Sequence, residues 1–268
     1  MEPFLWRPGR TALLVSMPHT GTQVPDVLLR RMTPAAHALP DTDWHMELLY
    51  DFLDELGASV LVATHSRYVI DLNRPPDNAS LYPGQDTTPL VPLDTFHKEP
   101  LYLPGQEPPE SEKKERLETY WRPYHAKLSR ELENLRSRHG YALLWDAHSI
   151  FSVVPRFFTG KLADFNLGTA DGLSCGPDLG EMLLGIARRA RMFISVLNGR
   201  FKGGYITRTY GKPSKSVHAV QLELSEATYM NERPPFEFRP ELADRVRPCI
   251  REMLESMLAL GERLQRRG

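Results

Sequence analysis

His148 closes the run Tyr141-Ala142-Leu143-Leu144-Trp145 through Asp146-Ala147-His148. His19 follows Ala12-Leu13-Leu14-Val15-Ser16-Met17 through Pro18-His19-Thr20-Gly21. Both apolar runs read as buried strands. In an open α/β sheet, parallel strands deliver their C-terminal ends to one rim, where ligands bind. Histidines at two such ends, with acids nearby, can hold a metal ion, and a metal that lowers the pKa of bound water makes a hydrolase. Taken alone, either histidine reads as an ordinary loop residue. Asp146 strengthens the case for His148, because two residues apart in an extended chain is the same face. A carboxylate there can fix the tautomer of a ligand imidazole.

A two-histidine site needs a carboxylate to complete it. Asp41-Thr42-Asp43-Trp44-His45, at the opening of a helix pattern, is the best supply. Asp41 suits a helix N-cap and Asp43 suits the first turn, where an acid favours the dipole. Two acids and a histidine so close together exceed what capping requires. Asp43 is therefore expected as a ligand and Asp41 as the cap or a residue behind the ligands. In Gln221-Leu222-Glu223-Leu224-Ser225-Glu226 the alternation puts Gln221, Glu223 and Ser225 on one face. A carboxylate between leucines in a strand is costly unless it faces a polar site, so Glu223 is the candidate general base. Glu226 is expected to face solvent or to cap the next element.

Ser66-Arg67-Tyr68-Val69-Ile70-Asp71-Leu72-Asn73-Arg74-Pro75 ends another strand-like run. An amide and a guanidinium fork together, Asn73 and Arg74, suit a carboxylate. Arg67 reaches the same place if a turn intervenes. Asp71 reads as a structural ion-pair partner of Arg74. Lys202-Gly203-Gly204-Tyr205-Ile206-Thr207-Arg208 is either a glycine-hinged anion-binding loop presenting Tyr205 and Arg208, or an ordinary hairpin. No P-loop, dinucleotide-binding glycine fingerprint or Gly-x-Ser-x-Gly elbow occurs.

The elements that must position these residues alternate between strand and helix. Strands are expected at 12–17, 59–63, 68–72, 141–146, 192–197 and 219–224. Helices are expected at 43–56, where Gly57 forms the C-terminal cap, at 112–138 with a break near Pro123, at 178–190 and at 239–266. Such alternation argues for a sheet covered on both faces. The proline-rich stretch 75–109 and the glycine-rich stretch 159–177 read as long loops over the strand-end rim.

With 268 residues, the chain is long enough for one large α/β domain, and residues 1–268 are read as such. The 33 basic and 34 acidic side chains nearly cancel, which gives no electrostatic reason to expect nucleic acid. Cys175 and Cys249 have no metal-type spacing, which fits a reducing compartment. The short apolar run after Arg7 and Arg10 leads into Pro-His rather than a cleavage site, so it is not taken as a signal peptide. No run approaches the ~18–20 apolar residues of a membrane span. A cytoplasmic protein without membrane or nucleic-acid partners is expected.

Seven segments in order resemble the N-formylglutamate amidohydrolase family, over about residues 12–230. They are Ser16-Met17-Pro18-His19-Thr20-Gly21, Asp41-Thr42-Asp43-Trp44, Asp71-Leu72-Asn73-Arg74-Pro75-Pro76, Asp146-Ala147-His148-Ser149, Gly168-Thr169-Ala170-Asp171-Gly172, Gly203-Gly204-Tyr205-Ile206-Thr207-Arg208 and Gln221-Leu222-Glu223. The resemblance implies a three-layer mixed α/β sheet with helices on both faces, similar to zinc exopeptidases, zinc carboxypeptidases and aspartoacylase. It also implies cleavage of N-formyl-L-glutamate to formate and L-glutamate, the last step of one histidine-degradation route. One departure stands out: the wider group uses a His-x-x-Glu zinc pair, and Thr22 occupies that glutamate's position.

The expected enzyme holds one divalent ion, with zinc the expected metal, on His19, Asp43 and His148, with Asp41 and Asp146 behind them. Glu223 serves as base, and by analogy with related folds Arg67 helps the metal to polarise the formyl oxygen. Asn73, Arg74, Arg208 and Tyr205 bind a small dianionic N-acyl amino acid. The alternatives are a deacylase of another N-acyl amino acid, a small carboxypeptidase-like peptidase, or a non-catalytic metal- or anion-binding protein on a hydrolase scaffold. The last lacks a use for Glu223.

Overall fold

A computed structural model describes residues 2–81 and 84–265. Strands β1 (Phe4–Arg7), β2 (Leu13–Met17), β3 (Ser59–Ala63), β4 (Ala142–Ile150), β5 (Phe165–Gly168), β6 (Ser195–Leu197) and β7 (Val217–Ser225) form one sheet in the order β1-β3-β2-β4-β7-β5-β6. The central strands β3, β2, β4 and β7 run parallel. β1 is antiparallel to β3, and β5 is antiparallel to β7 while pairing in parallel with β6. The sheet is therefore mixed, as expected.

Helices cover both faces. They are α1 (Asp26–Leu29), α2 (Pro34–His37), α3 (Met46–Leu49), α4 (Glu110–Arg116), α5 (Arg122–His139), α6 (Pro177–Arg189), α7 (Tyr205–Tyr210) and α8 (Pro240–Gln265). A π-helical turn, Leu117–Trp121, joins α4 to α5 without a break, and Pro123, which has no N–H to donate, falls just after it, where the regular ladder is already interrupted. One face of the central strands, with Val15, Trp145, Ala147, Val220 and Leu222, shares a core with residues of α6 and α8. The other, with Leu14, Leu144 and Ala219, packs with Tyr124, Leu128 and Leu132 of α5.

The second face changes character along the strands. On β4 it runs Ala142, Leu144, Asp146, His148; on β7 it runs Val217, Ala219, Gln221, Glu223. The register pairs Leu144 with Ala219, Asp146 with Gln221 and His148 with Glu223, so both strands turn polar at one level. Ser16 of β2 pairs with Asp146 at that level. Polar rows buried side by side need partners or a ligand.

Several expectations change. The helix expected over 43–56 shrinks to the single turn α3, followed by turns to Gly57, whose φ of +63° does need a glycine. His45 sits in the left-handed region at φ +60°, and the Asp43 N–H is tied to the His19 carbonyl. These constraints cut the helix's first turns. Residues 68–72 form turns rather than a strand, with the Asp71 N–H bonded to Leu90 O. The stretch 159–177 contains β5, which is short and buried and so lacks the alternation that marks a strand. Loop 75–109 holds only isolated bridges among the described residues; residues 82 and 83, like 266, lie outside them. No helix among the described residues is long and apolar enough to cross a membrane.

Candidate active site

His19, Asp43 and His148 converge. One ligand atom from each lies within 4.8 Å of the others, and all three side chains are buried. The elements explain the meeting. Pro18-His19 leaves the end of β2, and the Asp43 N–H donates to His19 O, which brings the 41–45 segment against it. His148 stands on the neighbouring β4. Gly21 lets this turn approach the backbone of Thr64 and His65, where a Cβ would come within 2.3 Å of His65 O.

The same nitrogen of each ring faces Asp43. His148 Nδ1 is 3.1 Å and His19 Nδ1 is 3.8 Å from Asp43 Oδ2. Each Nε2 is backed by another acid, His19 by Asp71 Oδ1 at 2.8 Å and His148 by Asp146 Oδ1 at 3.1 Å. This is the arrangement that orients ligand imidazoles and raises their basicity. His148 Nε2 also lies 2.9 Å from Asn73 Nδ2. One nitrogen cannot donate to a carboxylate and accept from an amide at once, so the two contacts are alternatives. With Nδ1 engaged as a ligand, Nε2 carries the hydrogen and Asp146 accepts it.

The donor set fits a cation. Asp43 Oδ1 is buried without a hydrogen-bond partner in the described structure. Asp41, Asp43 and Asp71 are buried around Arg67, and Asp146 is buried behind His148, a surplus of acid over base. Burial works against a charged His148, yet Asp146 and Asp43 outweigh it and hold the imidazole well above its ordinary pKa. A proton and a metal ion compete for that same site. His19 goes the other way: burial and then Arg67 push it down, which favours the neutral ring a metal needs.

Arg67 is buried and donates from Nη2 to Asp71 Oδ2 at 2.7 Å, with Nη1 3.3 Å from Asp41 O and 3.9 Å from Asp43 Oδ1. Its guanidinium lies 4.6 Å above the Phe96 ring. Asp71 is thus no ion-pair partner reserved for Arg74; it joins His19 to Arg67. Although burial opposes its charge, His19, Arg67 and Arg74 hold it well below the carboxylate range. Asp41 caps no helix. Its Oδ2 accepts from Tyr68 OH at 2.7 Å and Phe96 N–H at 2.9 Å, and burial pushes it up to about 6.

Glu223 stands beside His148 on β7. Burial pushes it up to about 8, and its Oε2 accepts from Gln221 Nε2 at 3.2 Å. Gln221 in turn accepts from Gly204 N–H at 2.7 Å. Glu226, expected to face solvent or to cap the next element, is buried in the first turn of a short 3-10 helix, Glu226–Thr228. Its Oε2 has no partner in the described structure, and burial, with Asp43 and Glu232 nearby, holds it well above its ordinary pKa.

The substrate-binding candidates are more scattered. Asn73 Oδ1 accepts from Ile206 N–H at 2.8 Å, which docks α7 beside the histidines. Gly204 is required there, because a Cβ would fall within 2.4 Å of the Asn73 amide. The segment before α7 is therefore neither a hairpin nor a free loop but a docked helix start. Arg74 donates to Thr88 O at 2.8 Å and Thr88 Oγ1 at 3.0 Å, on a cleft wall shared with Asn73 and Gln221. Arg208 donates from Nε to Gly203 O at 2.7 Å. The Tyr205 ring packs on Trp121 and His125. His125 supports this side from beneath: its Nε2 lies 2.8 Å from Leu72 O, directly before Asn73.

No site role is read from the sequence for Asp71 as the partner of His19, for Gln221 or for His125. For Asp71 a signal existed, since an aspartate two residues before Asn73 can accept that residue's N–H, as it does at 2.8 Å.

Comparisons with known proteins bear on this site. A family model described as N-formylglutamate amidohydrolase matches residues 11–230. An N-formylglutamate deformylase of Pseudomonas putida is 53% identical over 259 residues, covering 96% of this chain and 97% of its own length. One of Pseudomonas aeruginosa is 51% identical over 260 residues, covering 97% of each. A solved N-formylglutamate amidohydrolase from Ralstonia eutropha JMP134 superposes with a TM-score of 0.81 over 100% of both chains; at 23% identity it speaks for the fold alone.

Proposed function

The chain belongs to the N-formylglutamate amidohydrolase family, and from that premise we propose that it hydrolyses the formyl amide of N-formyl-L-glutamate, releasing formate and L-glutamate. The observation that carries the reading is the pairing of His148 with Glu223 at one register position, with His19 and Asp43 converging on His148. A non-catalytic metal-binding protein has no use for a buried acid beside its ligands.

His19, Asp43 and His148 hold one divalent ion, and zinc suits two imidazoles and a carboxylate. When bound, the ion lowers the pKa of water and polarises the formyl oxygen. Asp71 and Asp146 keep each histidine in the tautomer that leaves Nδ1 for binding. Glu223 takes a proton from the attacking water as the oxygen–carbon bond forms. It then delivers the proton to the amide nitrogen as the carbon–nitrogen bond breaks. A base pushed up to about 8 by burial is poised near working pH, and a cation close by favours its carboxylate form. Arg67 adds fixed positive charge near the developing oxyanion. Asn73 and Arg74, on the cleft lining, receive the substrate's α-carboxylate, while Arg208 and Tyr205 steady the segment around Gly203 and Gly204 beside them. We place the enzyme in the cytoplasm, a reading supported by two buried, unpaired cysteines, Cys175 and Cys249.

The test is glutamate release from N-formyl-, N-acetyl- and N-succinyl-glutamate by protein stripped of metal and then reloaded with zinc. Metal-dependent turnover of the formyl compound is expected, with the other two poorer. Preference for either larger acyl group would point instead to another N-acyl amino acid deacylase.

A further inference from the structure

The cleft that opens beside Gln221, the bond partner of Glu223, carries at its outer end an arginine, Arg200, that the chemistry above leaves unused. Its inner end is Gln221, bonded to Glu223, and Asn73, against His148. Further out stand Arg74 and Arg200. Asp86, the one carboxylate on this lining among the described residues, is neutralised by Lys98 at 2.9 Å and Arg156 at 3.0 Å. Among the described lining residues, two arginines thus stand against a single carboxylate that is already paired.

Arg200 is held in place. It lies on the loop between β6 and α7, where its Nε donates to Phe157 O at 2.5 Å. Its guanidinium carbon lies 5.8 Å from the centre of the Phe157 ring and 5.4 Å from that of Phe201. A planar fork packed against two aromatic rings loses little further freedom when it meets a carboxylate. Phe157 and Phe201 also line the cleft, so the space before the fork is flanked by apolar surface that suits a short methylene chain. A carboxylate carried on such a chain is the group the fork would receive.

We propose that Arg200 is the specificity-determining residue for a side-chain carboxylate, selecting acidic over neutral N-formyl amino acids; this rests on the hydrolase reading given above. Arg74 and Asn73, nearer the histidines, take the α-carboxylate. One anionic group is then met at each end of the substrate.

The experiment compares kcat/KM for N-formyl-L-glutamate and N-formyl-L-norvaline in zinc-loaded wild type, Arg200→Met and Arg200→Lys. Calorimetric binding of glutarate and butyrate is measured on the same proteins. Arg200→Met should lower kcat/KM for the glutamyl substrate by about 10- to 100-fold, chiefly through KM, as loss of a charged hydrogen-bond partner does. Norvaline turnover and butyrate binding should stay near wild type, and glutarate should weaken in step with the glutamyl substrate. Arg200→Lys, which keeps the charge but not the fork, should fall between, and it decides the matter should the methionine variant fail to fold. Equal losses on both substrates, or no loss on either, would overturn the proposal. If wild type released no formate from N-formylglutamate, the hydrolase reading would fall, while the glutarate-to-butyrate ratio would still judge Arg200.

Discussion

On the wall formed by β4 and β7, Asp146, His148, Gln221 and Glu223 stand at paired register positions of two central strands. On the facing wall, Arg74 and Arg200 come from connecting segments and are steadied by bonds to Thr88 and Phe157. The first wall sets distances between reacting groups, which backbone hydrogen bonds along a sheet hold tightly. The second has to meet a substrate, and segments outside the sheet can vary there without disturbing the strands. On the proposed reading, the paired strands carry the base and one metal ligand while connecting segments carry the groups that meet the substrate's carboxylates, so damage to each should have a separate kinetic signature.

Glu223→Gln is the change most able to break that division. It keeps the shape of the β7 wall and removes the base. Turnover number should fall by about 10²–10⁴-fold, as loss of a general base usually causes, with metal content intact and KM little changed. A variant that kept its turnover number and lost substrate affinity would place Glu223 on the recognition side. Glu226, buried close to the same acids, would then be the first alternative base.

The support beneath the recognition wall gives a sharper, smaller test. Burial holds His125 down at about 4, against an ordinary 6.5, and its neutral ring bonds to Leu72 O. Because the folded value is the lower one, the unfolded chain takes up this proton first as pH falls. The stabilisation is therefore full above about pH 6.5 and is lost on the way down toward 4, to the extent of about 3 kcal/mol. Urea unfolding of wild type and His125→Gln between pH 7 and 4 reads it. The gap in stability between the two proteins should be widest at pH 7 and should shrink toward pH 4. A gap that stays constant across that range would mean His125 does not titrate as described.

The two walls were not equally legible in the sequence. β7 announces itself because alternation of Leu with Gln and Glu has one reading in a strand, and β4 because an apolar run from Tyr141 to Trp145 leads into Asp146 and His148. His19 was legible as a residue at the end of a short apolar strand. Asp43 was found, but for an incomplete reason: the helix it was thought to begin does not form there, since Asp43 is pinned to His19 and His45 takes a left-handed backbone. Asn73 and Arg74 read as a pair in the sequence and both line the cleft, yet the strand expected before them is a set of turns, tied by Asp71 N–H to Leu90 O. Turns held by partners far along the chain leave no periodicity to read. Arg200 had none either, because its place depends on Phe157, 43 residues away. Glu226 was misread for a related reason: nothing local tells a buried acid from an exposed one at the end of a strand.

The central claim is that Asp43, with His19 and His148, holds a single metal ion while Asp41 stands outside the ligand set. Metal content of purified wild type, Asp43→Ala and Asp41→Asn after reloading with zinc tests it most directly. The account predicts one equivalent per chain in wild type, one in Asp41→Asn, whose loss is confined to the bonds with Tyr68 and Phe96, and a small fraction of an equivalent in Asp43→Ala. A full equivalent in Asp43→Ala together with loss from Asp41→Asn would contradict it.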